Sequence, residues 1–150
     1  MKRFLVYSLV IISFNLFANN CDQIFQIIKD KDVTKLRMFL SAHKIDLNAC
    51  YDADGYTPLL EAVDSGNVLL VKLLLEHKAD PNGMNQAKTR TPLINAISVG
   101  NDNIVSVLLD GGANPELSDA YNSPLGYAKK FGRTKIKAML NKAIQAKKNR

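Results

Sequence analysis

The chain encodes an all-α repeat fold, a solenoid of about four helix-turn-helix units, and three regularities in the sequence say so. First, Thr57-Pro58-Leu59 reappears 34 residues on as Thr91-Pro92-Leu93 and, 32 residues later, in a worn form as Ser123-Pro124-Leu125. Second, a glycine follows each copy at the same offset, as Gly66, Gly100 and Gly132. Third, the first two copies close on one run, Val71-x-x-Leu74-Leu75 and Val105-x-x-Leu108-Leu109. A period in the low thirties that holds two helix-length apolar patterns marks units that bury their apolar faces only against their neighbours.

The first eighteen residues stand outside that pattern. Lys2 and Arg3 precede a run from Phe4 to Ala18 broken only by Tyr7, Ser8, Ser13 and Asn15. This reads as a cleaved secretory signal peptide over residues 1–18, with Ala18 as the small residue before the cut. Fifteen residues are fewer than the roughly twenty that cross a bilayer as a helix. A retained anchor, a helix packed on the array and a lipoprotein signal at Cys21 are the alternatives. The remaining residues 19–150 suffice for one domain, and 47 % apolar residues exclude bulk disorder.

Within that domain the units are expected at about 22–51, 52–85, 86–117 and 118–150. The first carries Ile24, Phe25, Ile27 and Ile28, then Leu36, Phe39 and Leu40 beyond a polar turn at Lys29 to Asp32. Two short amphipathic helices fit that spacing. In the next two units Thr57 and Thr91 are placed to accept hydrogen bonds from the free amides of a helix start. Pro58 and Pro92 occupy the first turn, where a missing N–H costs nothing. Ala62 and Ala96 permit close stacking, and Gly66 and Gly100 end the first helix of each pair. Val68 to Leu75 and Ile104 to Leu109 form the second helices. Gly111-Gly112 ends one of these, and His77-Lys78 replaces the glycine in the other. In the last unit Ile136, Met139, Leu140, Ala143 and Ile144 make one apolar stripe, with lysines largely filling the other faces.

With these residues in view, the chain resembles the ankyrin-repeat family, whose period of about 33 residues and T-P-L-H-x-A pattern match over roughly Asp52 to Ala143. The resemblance implies an ankyrin solenoid with short β-hairpin fingers and a non-enzymatic, protein-binding role. Leu60, Ile94 and Gly126 stand where the family has histidine, so the network that histidine anchors is expected to be missing. The hairpin glycine survives only as Gly55, with Thr89 and Asn122 near the other two positions. The second finger is one residue longer than the first and the third one shorter, and loop tips are where binding residues are placed. In the family layout Cys21 lies just before the first helix and Cys50 at the root of the following hairpin. An exported chain would then hold them as a disulfide, with two unpaired thiols as the alternative.

Family members bind through hairpin tips and the exposed, concave face of each first helix. Carried onto this sequence, that selects Ala53, Asp54, Tyr56, Glu61, Asp64 and Ser65, then Ala87, Lys88, Arg90, Asn95 and Ser98, then Tyr121, Asn122, Tyr127 and Lys130. Tyr56, Arg90, Tyr121 and Tyr127 are the foremost, because tyrosine and arginine join large contact area to a polar tip; packing against the neighbouring hairpin is the alternative for each tyrosine. Asp52 and Asp54 read as turn residues that hold backbone amides rather than as a carboxylate pair. No catalytic site, metal site or cofactor is expected, since His43 and His77 lie in no ligand or nucleophile setting.

Charge is sorted along the chain. Between residues 19 and 128 nine basic residues face fourteen acidic ones, a balance of −5, whereas residues 129–150 hold nine basic residues and no acidic one. Such a block either solvates a capping helix or meets an anionic surface. A weak contact of Lys129 to Arg150 with anionic envelope material is therefore an alternative role, as a tethered spacer. Nucleic-acid binding is not expected, because stacking residues do not interleave the terminal lysines. The sequence points to a monomeric binding module in the bacterial periplasm or secreted from it. Inhibition of a periplasmic enzyme, neutralisation of a toxin, delivery to a host cell and envelope scaffolding are its candidate uses.

Overall fold

The computed structural model describes residues 20–149. The expected signal peptide over 1–18 lies outside the described residues. Helix α1 covers residues 20–29 of that span. Seven more follow: α2 (Val33–Ala42), α3 (Pro58–Asp64), α4 (Val68–Glu76), α5 (Pro92–Val99), α6 (Asp102–Asp110), α7 (Pro124–Lys130) and α8 (Thr134–Lys148). They form two layers. α3 packs on α5 and α5 on α7, while α2, α4, α6 and α8 follow one another in the second layer.

Local chemistry starts the first helix of each of the last three pairs where the sequence predicts. Thr57 Oγ1 accepts from Leu60 N at 3.3 Å, Thr91 Oγ1 from Ile94 N at 3.2 Å and Ser123 Oγ from Gly126 N at 3.1 Å. A proline occupies the first turn in all three. The second helices use Asp32, Asn67 and Asn101 in the same way. The core is continuous, running from Ile24, Ile28 and Leu36 through Leu59, Leu70 and Leu74 to Ile97, Leu108, Ile136 and Leu140. Ala62, Ala96 and Ala128 lie buried at matching positions of α3, α5 and α7, where no larger side chain separates the helices.

Backbone conformation at the helix ends is repeated too, but not always by glycine. Gly66, Gly100 and Gly132 are left-handed, and Lys31 takes the same conformation in the first unit, at φ 56°. After α4 it is Lys78, at φ 70°, that does what Gly112 does after α6. Gly100 is doubly constrained: a Cβ there would fall 2.4 Å from the guanidinium carbon of Arg133. That guanidinium reaches back across the repeat boundary, where Nη2 donates to Ser98 O at 3.4 Å and Val99 O at 3.3 Å. It thus caps the negative end of α5 from the following unit.

Asparagines stitch the units together. Asn48 Oδ1 accepts from Asp80 N at 2.8 Å and Asn48 Nδ2 donates to Lys78 O at 3.2 Å. One unit later Asn82 repeats this with Asn114 N at 2.7 Å and Gly112 O at 3.4 Å. At the end of the row Asn114 Oδ1 accepts instead from Lys147 Nζ at 3.1 Å, which also pairs with Glu116. α8 is longer than its counterparts, and this extra length is what lets Lys147 turn back onto the row.

Two expectations need correction. No strand is present among the described residues, so the fingers are turns rather than β-hairpins. Each closes on one backbone hydrogen bond between its flanks, Asp52 N to Tyr56 O, Asn85 N to Arg90 O and Asp119 N to Asn122 O, which is too little for a ladder. Cys21 also lies within α1 rather than before it. Its pairing holds nonetheless: Cys21 and Cys50 are joined by a disulfide with their Cα atoms 5.4 Å apart. The bond ties the first helix to the root of the first finger, and both sulfur-bearing residues are buried.

Two stability outcomes follow. Replacing both cysteines (Cys21→Ala, Cys50→Ala) should lower stability by about 3.5 kcal/mol, the chain-entropy value for a loop of this size, and the melting temperature by roughly 10 °C. A loss under about 1 kcal/mol in urea titration would show that the bond is not a structural staple. Lys78→Gly should raise stability by about 0.5–1 kcal/mol by relieving a left-handed lysine. Lys72→Gly within α4 should lower it by about 1 kcal/mol, and the same titration reads both.

Candidate functional site

The fingers owe their shape to one side chain each. Asp52 Oδ1 accepts from Asp54 N at 3.0 Å and Tyr56 N at 2.8 Å. Asn85 Oδ1 accepts from Thr89 N at 2.9 Å and Arg90 N at 3.1 Å, and Asp119 Oδ1 from Tyr121 N and Asn122 N, both at 2.8 Å. Aspartate and asparagine close such turns because their short side chains reach backbone amides two or more residues ahead. Asp52 therefore has its expected turn role, whereas Asp54 sits exposed at the tip. Asn85 and Asp119 escaped the sequence reading. Their signal was position, since each stands about one period after the turn residue before it.

The fingers differ in length as the sequence predicts, and they touch. Gln86 N donates to Gly55 O at 2.9 Å, joining the first finger to the second. The left-handed place that Gly55 fills in the first finger belongs in the second to Lys88, at φ 53°, and not to Thr89. Lys88 N donates to Asn85 O just as Gly55 N donates to Asp52 O. In the third finger Asn122 folds back over α7. Its Oδ1 accepts from Ser123 N at 2.9 Å and would stand 2.0 Å from any Cβ at Gly126. The missing side chain at Gly126 thus makes room for Asn122, and Tyr121, 78 % exposed, stands at that tip.

On the first-helix face the selected residues separate into two kinds. Asp64 and Lys130 are exposed, and Glu61 and Tyr127 half-buried. Ser65 and Ser98 turn back on their own helices, donating to Ala62 O at 2.7 Å and Ile94 O at 2.9 Å. Asn95 is a correction: it is 3 % exposed, so it is no contact residue. It joins Arg90, whose Nη1 donates to Asn95 Oδ1 at 3.2 Å, to Asp64, which accepts from Asn95 Nδ2. The family pattern places Asn95 on the exposed first-helix face, and a buried amide with two charged neighbours has the same signature in sequence.

Electrostatics along this face is graded. Burial raises the pKa of Glu61 above the usual carboxylate value against the pull of Lys29, and Asp52, Asp64 and Asp54 raise it further. At the other end Tyr127 Oη donates to Asp119 Oδ2 at 3.0 Å. Desolvation, then that bond, raises the phenol pKa above its ordinary value. The Tyr127 ring stacks on Phe131 with centroids 6.0 Å apart, and Lys130 Nζ lies 5.7 Å from the Phe131 centroid. The face offers ring surfaces, a guanidinium and carboxylates.

The histidines lie elsewhere. His43 caps α2, with Nδ1 3.0 Å from Phe39 O and its ring stacked on Phe39, and His77 caps α4. Among the described residues no group of three or more His, Cys, Asp or Glu could hold a metal ion, and no helix is long and apolar enough to cross a membrane.

The Ankyrin repeat family model matches residues 54–86 and again residues 89–120. No curated protein matches the chain. Ankyrin repeats are generally protein-interaction modules and not enzymes. Two adjacent matches, laid over helix pairs that stack in two layers with one finger per unit, make this chain an ankyrin-repeat protein.

Proposed function

We propose that the chain is an exported, monomeric module that grips a protein partner across its finger tips and its first-helix face, in the bacterial periplasm or beyond the cell. The observation that carries this reading is the clamping of each finger by Asp52, Asn85 or Asp119. Tyr56, Arg90 and Tyr121 are thereby displayed from fixed backbone beside Glu61, Asp64 and Tyr127. Groups held in place before encounter lose less entropy on association. Export rests on the basic start and apolar run of residues 1–18. A buried disulfide supports it, because such bonds persist in oxidising compartments.

A second reading uses α8. Lys137, Lys142 and Lys148 are exposed on it, in a segment without acidic residues, and would suit an anionic envelope surface.

Recovery of a partner from the native envelope fraction tests the first reading. The Tyr56→Ala, Arg90→Ala variant should recover it at least about tenfold less well, the scale of losing a hot spot, while melting at an unchanged temperature. Equal recovery by both forms would sink the proposed surface. The tether predicts something different: binding to anionic envelope material that falls steeply with added salt and disappears on deleting Lys142 to Arg150. Salt-independent binding, or binding that survives the deletion, counts against it.

A further inference from the structure

On the reading that the first-helix face binds a protein, the structure says what kind of segment that face takes. The deciding residue is Asn95. It is one of few buried polar residues, and it stands between two charged groups from different units, Asp64 on α3 and Arg90 on the second finger. An amide has a donor side and an acceptor side. Its orientation here is the one that serves a carboxylate and a guanidinium together.

Arginine and aspartate in direct contact would make a two-pronged ion pair and neutralise each other. Here the amide stands between them instead. It accepts one hydrogen bond from Arg90 and donates one to Asp64, and among the described residues neither Asp64 nor Arg90 belongs to an ion pair. The guanidinium keeps most of its five donors, and the carboxylate most of its acceptor positions, for another molecule. Both are exposed. Around Glu61, one turn before Asp64 on α3, lie the carboxylates of Asp52, Asp64 itself and Asp54, whose repulsion is felt there. Beyond Arg90 the carboxylate of Asp119 is engaged by Tyr127 Oη, and Lys129 and Lys130 follow in the last turn of α7.

We propose that Asn95 is a positioning residue, a neutral spacer that keeps Asp64 and Arg90 from neutralising each other, and that the prepared face takes a partner segment with split charge. A basic side chain of that segment meets Asp64, and an acidic one meets Arg90. The segment runs with its cationic end toward the first finger and its anionic end toward α7.

A random 12-residue peptide library on phage, panned against the full chain, tests this. Enriched peptides should carry a basic and an acidic residue. Their affinity should fall at least about tenfold with Asn95→Leu, which frees Asp64 and Arg90 to pair, at an unchanged melting temperature. Asp64→Asn and Arg90→Gln avoid the buried position and keep the question answerable if Asn95→Leu does not fold. Loss of the peptide's basic residue should cost affinity against the parent chain but not against Asp64→Asn, and loss of its acidic residue likewise against Arg90→Gln.

Peptides that need Tyr56 and Arg90 but carry no charge pair, or that bind Asn95→Leu equally well, would overturn the spacer while leaving the binding face intact. Peptides indifferent to the Tyr56→Ala, Arg90→Ala variant would overturn both. A salt-sensitive dimer in sedimentation that excludes the peptides would make the occupant the basic α8 of a second copy, and the split-charge partner would be wrong.

Discussion

Every helix pair in this chain depends on its neighbours for cover, and that dependence organises the rest. A two-helix unit of some thirty residues cannot exclude water from both apolar sides. The core from Ile24 to Leu140 is therefore one continuous strip assembled from parts that lack stability singly. The interior units solve the problem by repetition. The two ends must solve it otherwise, and they use different chemistry. The first unit is tied by the Cys21–Cys50 bond. The last is closed by a helix of fifteen residues whose apolar stripe faces inward and whose lysines face water.

The shape of the fingers comes from the same economy of means. The fingers lack a strand ladder, so their shape depends on one acidic or amide side chain apiece, with Gln86 linking the first two. Three turns of three lengths share one device. This explains how the tips can differ in residue and reach while the frame beneath them stays regular. It also explains why Asn122 and Asn95, both polar and both near the face, are poor candidates for contact. Each is already occupied by the protein's own groups.

Much of the fold was legible because it rests on local and periodic signals. Thr57-Pro58, Thr91-Pro92 and Ser123-Pro124 start helices through capping bonds made within three residues. The apolar spacing of Ile136 and Leu140 gives a face directly. The family layout brought the two cysteines near each other, and the bond between them is present. What was not legible depends on contacts between units. Nothing local distinguishes Asn95, buried between Asp64 and Arg90, from an exposed asparagine at the same helix position. Nor does sequence mark Lys78 and Lys88 as left-handed, since lysine in that conformation is held there by the turns around it. Strand fingers were inferred from the family, and the bonds here are too few to form them.

The asparagine row has a consequence for how such a chain can change. Each of Asn48 and Asn82 reaches forward by one unit and no further, and at Asn114 the next unit's backbone amide is replaced by Lys147 of α8. The links are therefore indifferent to how many interior units there are. A duplicated segment from one asparagine to the next would bring its own link and meet an unchanged neighbour on either side, so the array can lengthen or shorten by whole units without redesign of its ends. Reach, and with it the size of what can be grasped, is in this architecture a matter of copy number.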